Sequence, residues 1–245
     1  MTYQSNGYVP RVGYDQQFAA AGGEVDANPP DAMHVRFDNS SHDSVNDWTG
    51  VWQTPTAAYS SDAVFGQSAF TGPTPADDGT DIVFSGNEPA VVGDAGDMSA
   101  FLWFKTGGSQ MVTQRQNNGT DRMWVLSSNP GSGWFRVWVY DTATGSMWKT
   151  QSFTATDVWV FCGITWNNSA ETGFVYLGVD GAALGEIALQ SAGWVGPKRT
   201  AGIDKFHFAE NVTQPTRLDD FRYYGRELST AEVEALYAVG LAALA

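Results

Sequence analysis

From His34 onward, short apolar runs alternate with clusters of Gly, Pro, Asn, Asp and Ser. Short β-favouring runs bounded by turn formers read as strands, and many in succession read as an antiparallel sandwich. The pattern predicts strands at "HVRF", "DIVFS", "SAFLWFKT", "RMWVLS", "WFRVWVYD", "VWVFCGITW", "GFVYLGVD", "DKFHFA" and "LDDFRYY". No repeat period links them.

The strand "WFRVWVYD" alternates cleanly. Phe135, Val137 and Val139 share one face, and Trp134, Arg136, Trp138 and Tyr140 share the other. The aliphatic face is the expected core. The aromatic face is a large area to leave in water. Either the terminal helix, an N-terminal arm or a neighbouring subunit covers it, or it is a platform on which sugar rings stack while Arg136 bonds their hydroxyls.

The C-terminal stretch "TRLDDFRYYGRELSTAEVEALYAVG" changes period from strand to helix. Leu218, Phe221 and Tyr223 sit in a β-favouring run that Gly225 stops. Ser229 followed by Glu232 forms a capping box, with Leu228 and Val233 as a hydrophobic staple, so a helix is expected from Thr230. Val233, Leu236 and Tyr237 fall at helical spacing, and Gly240 suits the left-handed position that ends a helix. A helix of under three turns must dock on something larger.

Residues 1–30, rich in Tyr, Gln, Gly and Ala, keep neither period and are expected to form an extended arm. The sandwich is expected over residues 31–245. The first residues carry neither a basic start nor an apolar stretch, so no secretory signal is expected, and no run approaches a membrane span.

Charge narrows the partners. Acidic residues number 27 against 13 Lys and Arg, for a net charge of −14. Nucleic acid is excluded as a partner because a phosphate-binding surface needs clustered cations. The acidity serves solubility, or it supplies hard oxygen ligands for calcium. The lone Cys162 rules out an internal disulfide and is read as a small buried hydrophobe.

In order along the chain, "HVRFDNSSHDSVND", "AVFGQSAF", "MSAFLWFKT", "VFCGITWNNS", "VYLGVDG" and "RLDDFRYYGRELSTAEVEALY" resemble the concanavalin A-like, laminin G-like jelly-roll domains. The resemblance covers about His34 to Tyr237, and its closing segment is the most specific piece. It implies an all-β, concanavalin A-like jelly-roll β-sandwich with a short C-terminal helix, in which the last strand returns beside the first and the helix closes one end. Two features depart from the pattern: the arm is extra, and no glycine stands just before Asp219 and Asp220.

Many of these domains hold calcium at the rim. The resemblance implies Asp38, Asn39 and Asp219 as metal ligands here. Strand parity with Phe221 and Tyr223 places Asp219 toward the core, where a bare carboxylate is costly. Either a cation or a set of backbone N–H donors must meet it. Parity turns Asp220 outward, beside Arg222. Asp43 and Asp47 either complete a calcium loop or cap turns.

The same sandwich carries glycanases, which need two carboxylates flanking the scissile bond. The only partial match to their strand is "EVDANPP", which lacks the final Glu and ends in two prolines. His34, His42 and His207 are isolated, so zinc is not expected, and His207 is read as decorating a strand face. "GSGW" is read as a hairpin turn rather than a nucleophile elbow, and "KTGGSQ" lacks the ending of a phosphate loop. A non-enzyme is expected.

Two functions fit these readings. One is a structural or adhesive virion protein, a phage capsid decoration or tail component, that meets neighbouring subunits or capsid and tail proteins through the arm. The other is an extracellular carbohydrate-binding module stabilised by calcium, with Trp134, Trp138 and Tyr140, or Trp48 and Trp52, stacking on sugars.

Overall fold

The computed structural model describes residues 30, 32–37, 42–43, 48–49, 51–52, 58–66, 68–71, 82–84, 96–106, 108, 110–116, 122–142, 145–179, 181–194, 196–198, 205–210 and 216–245. The strands in chain order are β1 (Met33–Val35), β2 (His42–Asp43), β3 (Trp48–Thr49), β4 (Val51–Trp52), β5 (Ala58–Ser60), β6 (Ser68–Thr71), β7 (Ile82–Phe84), β8 (Met98–Thr106) and β9 (Gln110–Gln116). They continue as β10 (Arg122–Asn129), β11 (Trp134–Tyr140), β12 (Ser146–Ser152), β13 (Val160–Asn167), β14 (Thr172–Val179), β15 (Gly185–Ala188), β16 (Gln190–Ala192), β17 (Lys205–Glu210) and β18 (Thr216–Tyr224). One α-helix, Thr230–Leu244, follows among the described residues.

The strands form two antiparallel sheets. The first runs β15-β14-β13-β8-β18-β1-β2-β3, with β5 and β6 attached through β18, and the second runs β16-β12-β11-β10-β9-β17-β7-β4. The chain is an all-β sandwich with a C-terminal helix. All nine strands expected from the apolar runs form. As expected, the last strand returns beside the first, with Met33 opposite Tyr223 and Val35 opposite Phe221.

The inner faces meet in one core. Ala100, Leu102, Phe104, Ile164 and Val175 come from the first sheet, and Leu126, Phe135, Val137, Val139 and Phe206 from the second. Phe104 and Phe135 stack across the gap with centroids 6.1 Å apart. Each such side chain contributes about 1.5–3 kcal/mol of burial. Cys162 belongs to this core, where burial pushes its thiol well up. The turn read from "GSGW" joins β10 to β11 as a 3₁₀ turn over Pro130–Ser132, with Gly133 left-handed at φ 76°.

A second core lies on the outer face of the first sheet, against the helix. Phe101, Trp103, Phe161 and Tyr176 project away from the main core and meet Val233, Leu236 and Tyr237. The helix therefore covers a sheet face instead of closing an end of the sandwich. Its start matches the capping box: Ser229 Oγ accepts from the Glu232 amide at 3.4 Å, and the Ser229 amide donates to Glu232 Oε2 at 2.8 Å. The expected end at Gly240 is wrong, since the helix runs on to Leu244. Gly240 is buried against Trp103, and a Cβ there would collide with the indole. Close approach to the sheet, rather than helix termination, is what this glycine provides.

Candidate functional site

Of the three side chains expected to hold a metal, the structure describes that of Asp219. Asp38, Asn39 and Asp47 lie outside the described residues, as does the side chain of Asp43. Asp219 is fully buried, and its Oδ2 accepts from the amides of Val64 at 2.8 Å and Phe65 at 2.7 Å. Backbone N–H donors thus meet the carboxylate. Among the described residues, no three His, Cys, Asp or Glu side chains gather as a metal would require. Asp219 is a hydrogen-bonded carboxylate that ties the 64–65 loop to β18.

The parity reading of this strand also needs correction. In the pairing of β18 with β8, Leu218 faces Phe104 and Asp219 faces Trp103, but the next aligned pair is Arg222 with Phe101. Asp220 and Phe221 therefore oppose Leu102 alone, which is a β-bulge, and Asp220 takes the left-handed φ of 49°. The bulge reverses which residues face inward. Asp219 shares the Trp103 face, toward the helix, while Phe221 and Tyr223 face the main core.

Asp220 is buried rather than turned to solvent, though it does meet Arg222 as expected. Arg222 Nε donates to its Oδ2 at 2.8 Å, and His34 Nε2 lies 2.9 Å from Oδ1. Burial pushes the Asp220 carboxyl up, but Arg222 and His34 outweigh it and hold the group well below the usual carboxylate range. This cluster joins β1 to β18.

The aromatic face of β11 is built as its alternation requires. Phe135, Val137 and Val139 are fully buried, while Trp134, Arg136, Trp138 and Tyr140 are half-buried on the opposite face of the second sheet. The helix does not cover that face, because it packs on the other sheet. Register adds a residue that sequence reasoning missed: Trp148 of β12 stands directly across from Trp138. On the other flank Trp138 faces Val125 and Arg136 faces Ser127. The Arg136 guanidinium carbon lies 4.2 Å from the centre of the Trp134 ring, a cation–π contact that fixes its plane. Its Nε is buried and makes no hydrogen bond. Further along the face, Gln114 stands opposite His207. His207 thus decorates the strand face, flanked by the core residues Phe206 and Phe208. The arrangement offers indole faces for apolar ring surfaces, with the Arg136 guanidinium beside them for hydroxyls.

A second cleft, not foreseen from sequence, opens on the outer face of the first sheet beside the start of the helix. It is open to solvent, has a volume of about 370 Å³ and is lined by Thr165, Phe174, Tyr176, Glu186, Glu227 and Thr230, among others. Cross-strand register places four of these together: Thr165 faces Phe174, and Tyr176 faces Glu186. Gly163 stands opposite Tyr176, and a Cβ there would strike the Phe101 ring, so this glycine lets Phe101 and Tyr176 pack with centroids 5.8 Å apart. Thr230 Oγ1 donates to Glu186 Oε2 at 2.7 Å, and Asn167 Nδ2 donates to Glu227 Oε2 at 2.8 Å. Burial first, and Glu186 beside it, push the Tyr176 hydroxyl up to about 12. The only sequence signal for this cleft is a threonine in the otherwise apolar run "VFCGITW".

No family model and no curated protein matches the chain. Solved structures do match. The binding domain of botulinum neurotoxin DC in complex with SialylT is 13% identical with a TM-score of 0.65, over 88% of this chain and 52% of that one. The binding domain of Paraclostridial Mosquitocidal Protein 1 is 17% identical with a TM-score of 0.62, over 87% and 52%. The botulinum neurotoxin type G receptor-binding domain is 14% identical with a TM-score of 0.58, over 86% and 51%. The chain thus spans about half the length of the solved chains it matches, and at these identities the likeness is one of fold.

Proposed function

We propose that this chain is a non-catalytic, lectin-like binding domain that takes a glycan on the outer face of the second sheet. The observation that carries the reading is the pairing of Trp138 with Trp148 across β11 and β12, beside an Arg136 already oriented by Trp134. Pyranose rings carry apolar C–H faces that leave water on contact with indole, and a fixed guanidinium then bonds the hydroxyls at little further cost in rotamer entropy. The likeness in fold supports the reading: one of the matched domains is in complex with SialylT, and others are receptor-binding domains. The jelly-roll, concanavalin A-like assignment belongs to this proposal as well.

Intrinsic tryptophan fluorescence titrated with a panel of diverse polysaccharides tests it. Binding at the platform shifts or quenches the emission, and a flat response across the panel contradicts the proposal.

An adhesive role on a virus particle is a further part of the proposal, resting on the arm expected over residues 1–30, of which the structure describes Pro30 alone. Light scattering of the full chain and of a chain lacking those residues tests that part. An oligomer that dissociates without the arm supports it, and identical masses oppose it.

A further inference from the structure

We propose that the ligand of the aromatic platform is an acidic glycan of low charge density, whose carboxylates pair with Arg122 and Arg136 on either side of Trp138. The inference rests on the glycan-binding reading and deepens it by naming the class of glycan.

The first support is the distribution of charge. Acidic residues outnumber Lys and Arg by 27 to 13 along the chain, yet β10, β11 and β12, the strands that build the platform, contain neither Asp nor Glu. The strands of the second sheet hold Arg115, Arg122, Arg136, Lys149 and Lys205 against a single carboxylate, Glu210. A net charge of −14 thus surrounds one sheet whose own strands are cationic.

The second support is the state of the two arginines. The cations of β8, β18 and the turn after β18 are each paired: Lys105 and Arg217 meet Asp62, Arg222 meets Asp220 and Arg226 meets Glu232. Among the described residues, neither the Arg122 nor the Arg136 guanidinium has such a pair. Both residues are half-buried, and the Nε of each is buried without a hydrogen bond, which leaves the Nη atoms as the donors a ligand meets. A half-buried cation has lost part of its hydration, and an anion that arrives with the ligand restores the balance.

The third support is placement. Met123 and Trp124 both lie in the main core and share one step of the ladder with β9, so the bulge there turns Arg122 to the outer face, opposite Gln116. Arg122 follows Val125 on that face of β10, as Tyr140 follows Trp138 on β11, and Trp138 stands directly across from Val125. Arg136 precedes Trp138 on the same face, with its guanidinium held over Trp134. Aromatic rings and guanidiniums therefore alternate along the platform, as sugar rings and carboxylates alternate along a uronate- or sialate-bearing glycan. The planar guanidinium fork matches a carboxylate in two parallel hydrogen bonds.

The same charges limit the density of the ligand. Two arginines attract an isolated carboxylate within a screening length of about 8 Å, whereas a polysulfated chain running beyond them meets the field of a protein at −14.

Calorimetry on the full chain with paired probes tests the inference: trigalacturonate against its fully methyl-esterified form, and sialyllactose against lactose, with heparin as the densely charged comparison. The parent is expected to bind the acidic member of at least one pair tenfold or more tightly than the neutral member, about 1.4 kcal/mol. Arg122→Gln and Arg136→Gln are each expected to cut that acidic-to-neutral ratio by about fivefold. The parent's ratio needs no variant, and Arg122→Gln leaves the Arg136–Trp134 contact alone, so loss of fold in Arg136→Gln leaves the test intact. A ratio of one or less in both pairs overturns the inference while the platform stands. A high ratio unchanged in both folded variants also overturns it, by placing the acidic site elsewhere. Heparin binding more tightly than both acidic probes overturns it in favour of a polysulfate. No binding by any probe overturns it as well, and the fluorescence panel then decides separately whether the platform falls with it.

Discussion

Tyr237 of the C-terminal helix lies over Trp103 of β8, with ring centroids 5.7 Å apart and planes inclined by 20°. Its hydroxyl donates to the Ala182 carbonyl at 2.7 Å, so one side chain holds the helix to the sheet through both an aromatic face and a polar tip. Tyr237→Ala is expected to destabilise the protein by about 3 kcal/mol and Tyr237→Phe by about 1 kcal/mol, read from urea unfolding. Equal losses in the two variants would show that stacking contributes nothing.

Asp219 gives a prediction that separates a carboxylate bonded to amides from one bound to calcium. Asp219→Ala strands the Val64 and Phe65 amides and is expected to cost about 2 kcal/mol or more. The fall in melting temperature should be the same in calcium and in chelator. A fall seen only in calcium would support the metal role.

Glu232 carries a pH dependence whose sign follows from its partners. Arg226 Nη2 lies 2.7 Å from its Oε1. That bond, with those from Ser229 and against the opposing effect of burial, lowers the carboxyl from 4.5 to about 2. A depressed carboxylate stabilises the fold above its unfolded pKa, and that stability is lost as pH falls from 4.5 toward about 2. The melting-temperature gap between the parent and Glu232→Gln is therefore expected to be full at neutral pH and to close across that window. A gap constant down to the lower end would contradict the capping account.

What the sequence showed and what it hid divide along physical lines. Alternation in "WFRVWVYD" reported the two faces of β11 because period-two patterning is local, and the capping box at Ser229 and Glu232 was legible for the same reason. The strands Gln110–Gln116 and Ser146–Ser152 were missed because they are polar, and cross-strand neighbours rather than their own composition set them. The bulge at Asp220 inverted a parity argument that was sound for an unbroken strand. Gly240 carried two meanings, helix end or close approach, and only tertiary packing chose between them. The cleft was invisible because Thr165, Tyr176, Glu186 and Glu227 come from separate elements that only the topology brings together.

The central claim is that Trp138 and Trp148 form a glycan platform, and it stands or falls on one comparison. With a glycan that quenches the parent's fluorescence, the affinity of the parent and of the double variant Trp138→Ala, Trp148→Ala is measured by calorimetry, after circular dichroism confirms that the variant retains the β-sandwich. The account predicts at least a tenfold loss, about 1.4 kcal/mol or more. Unchanged affinity in the folded double variant would contradict it.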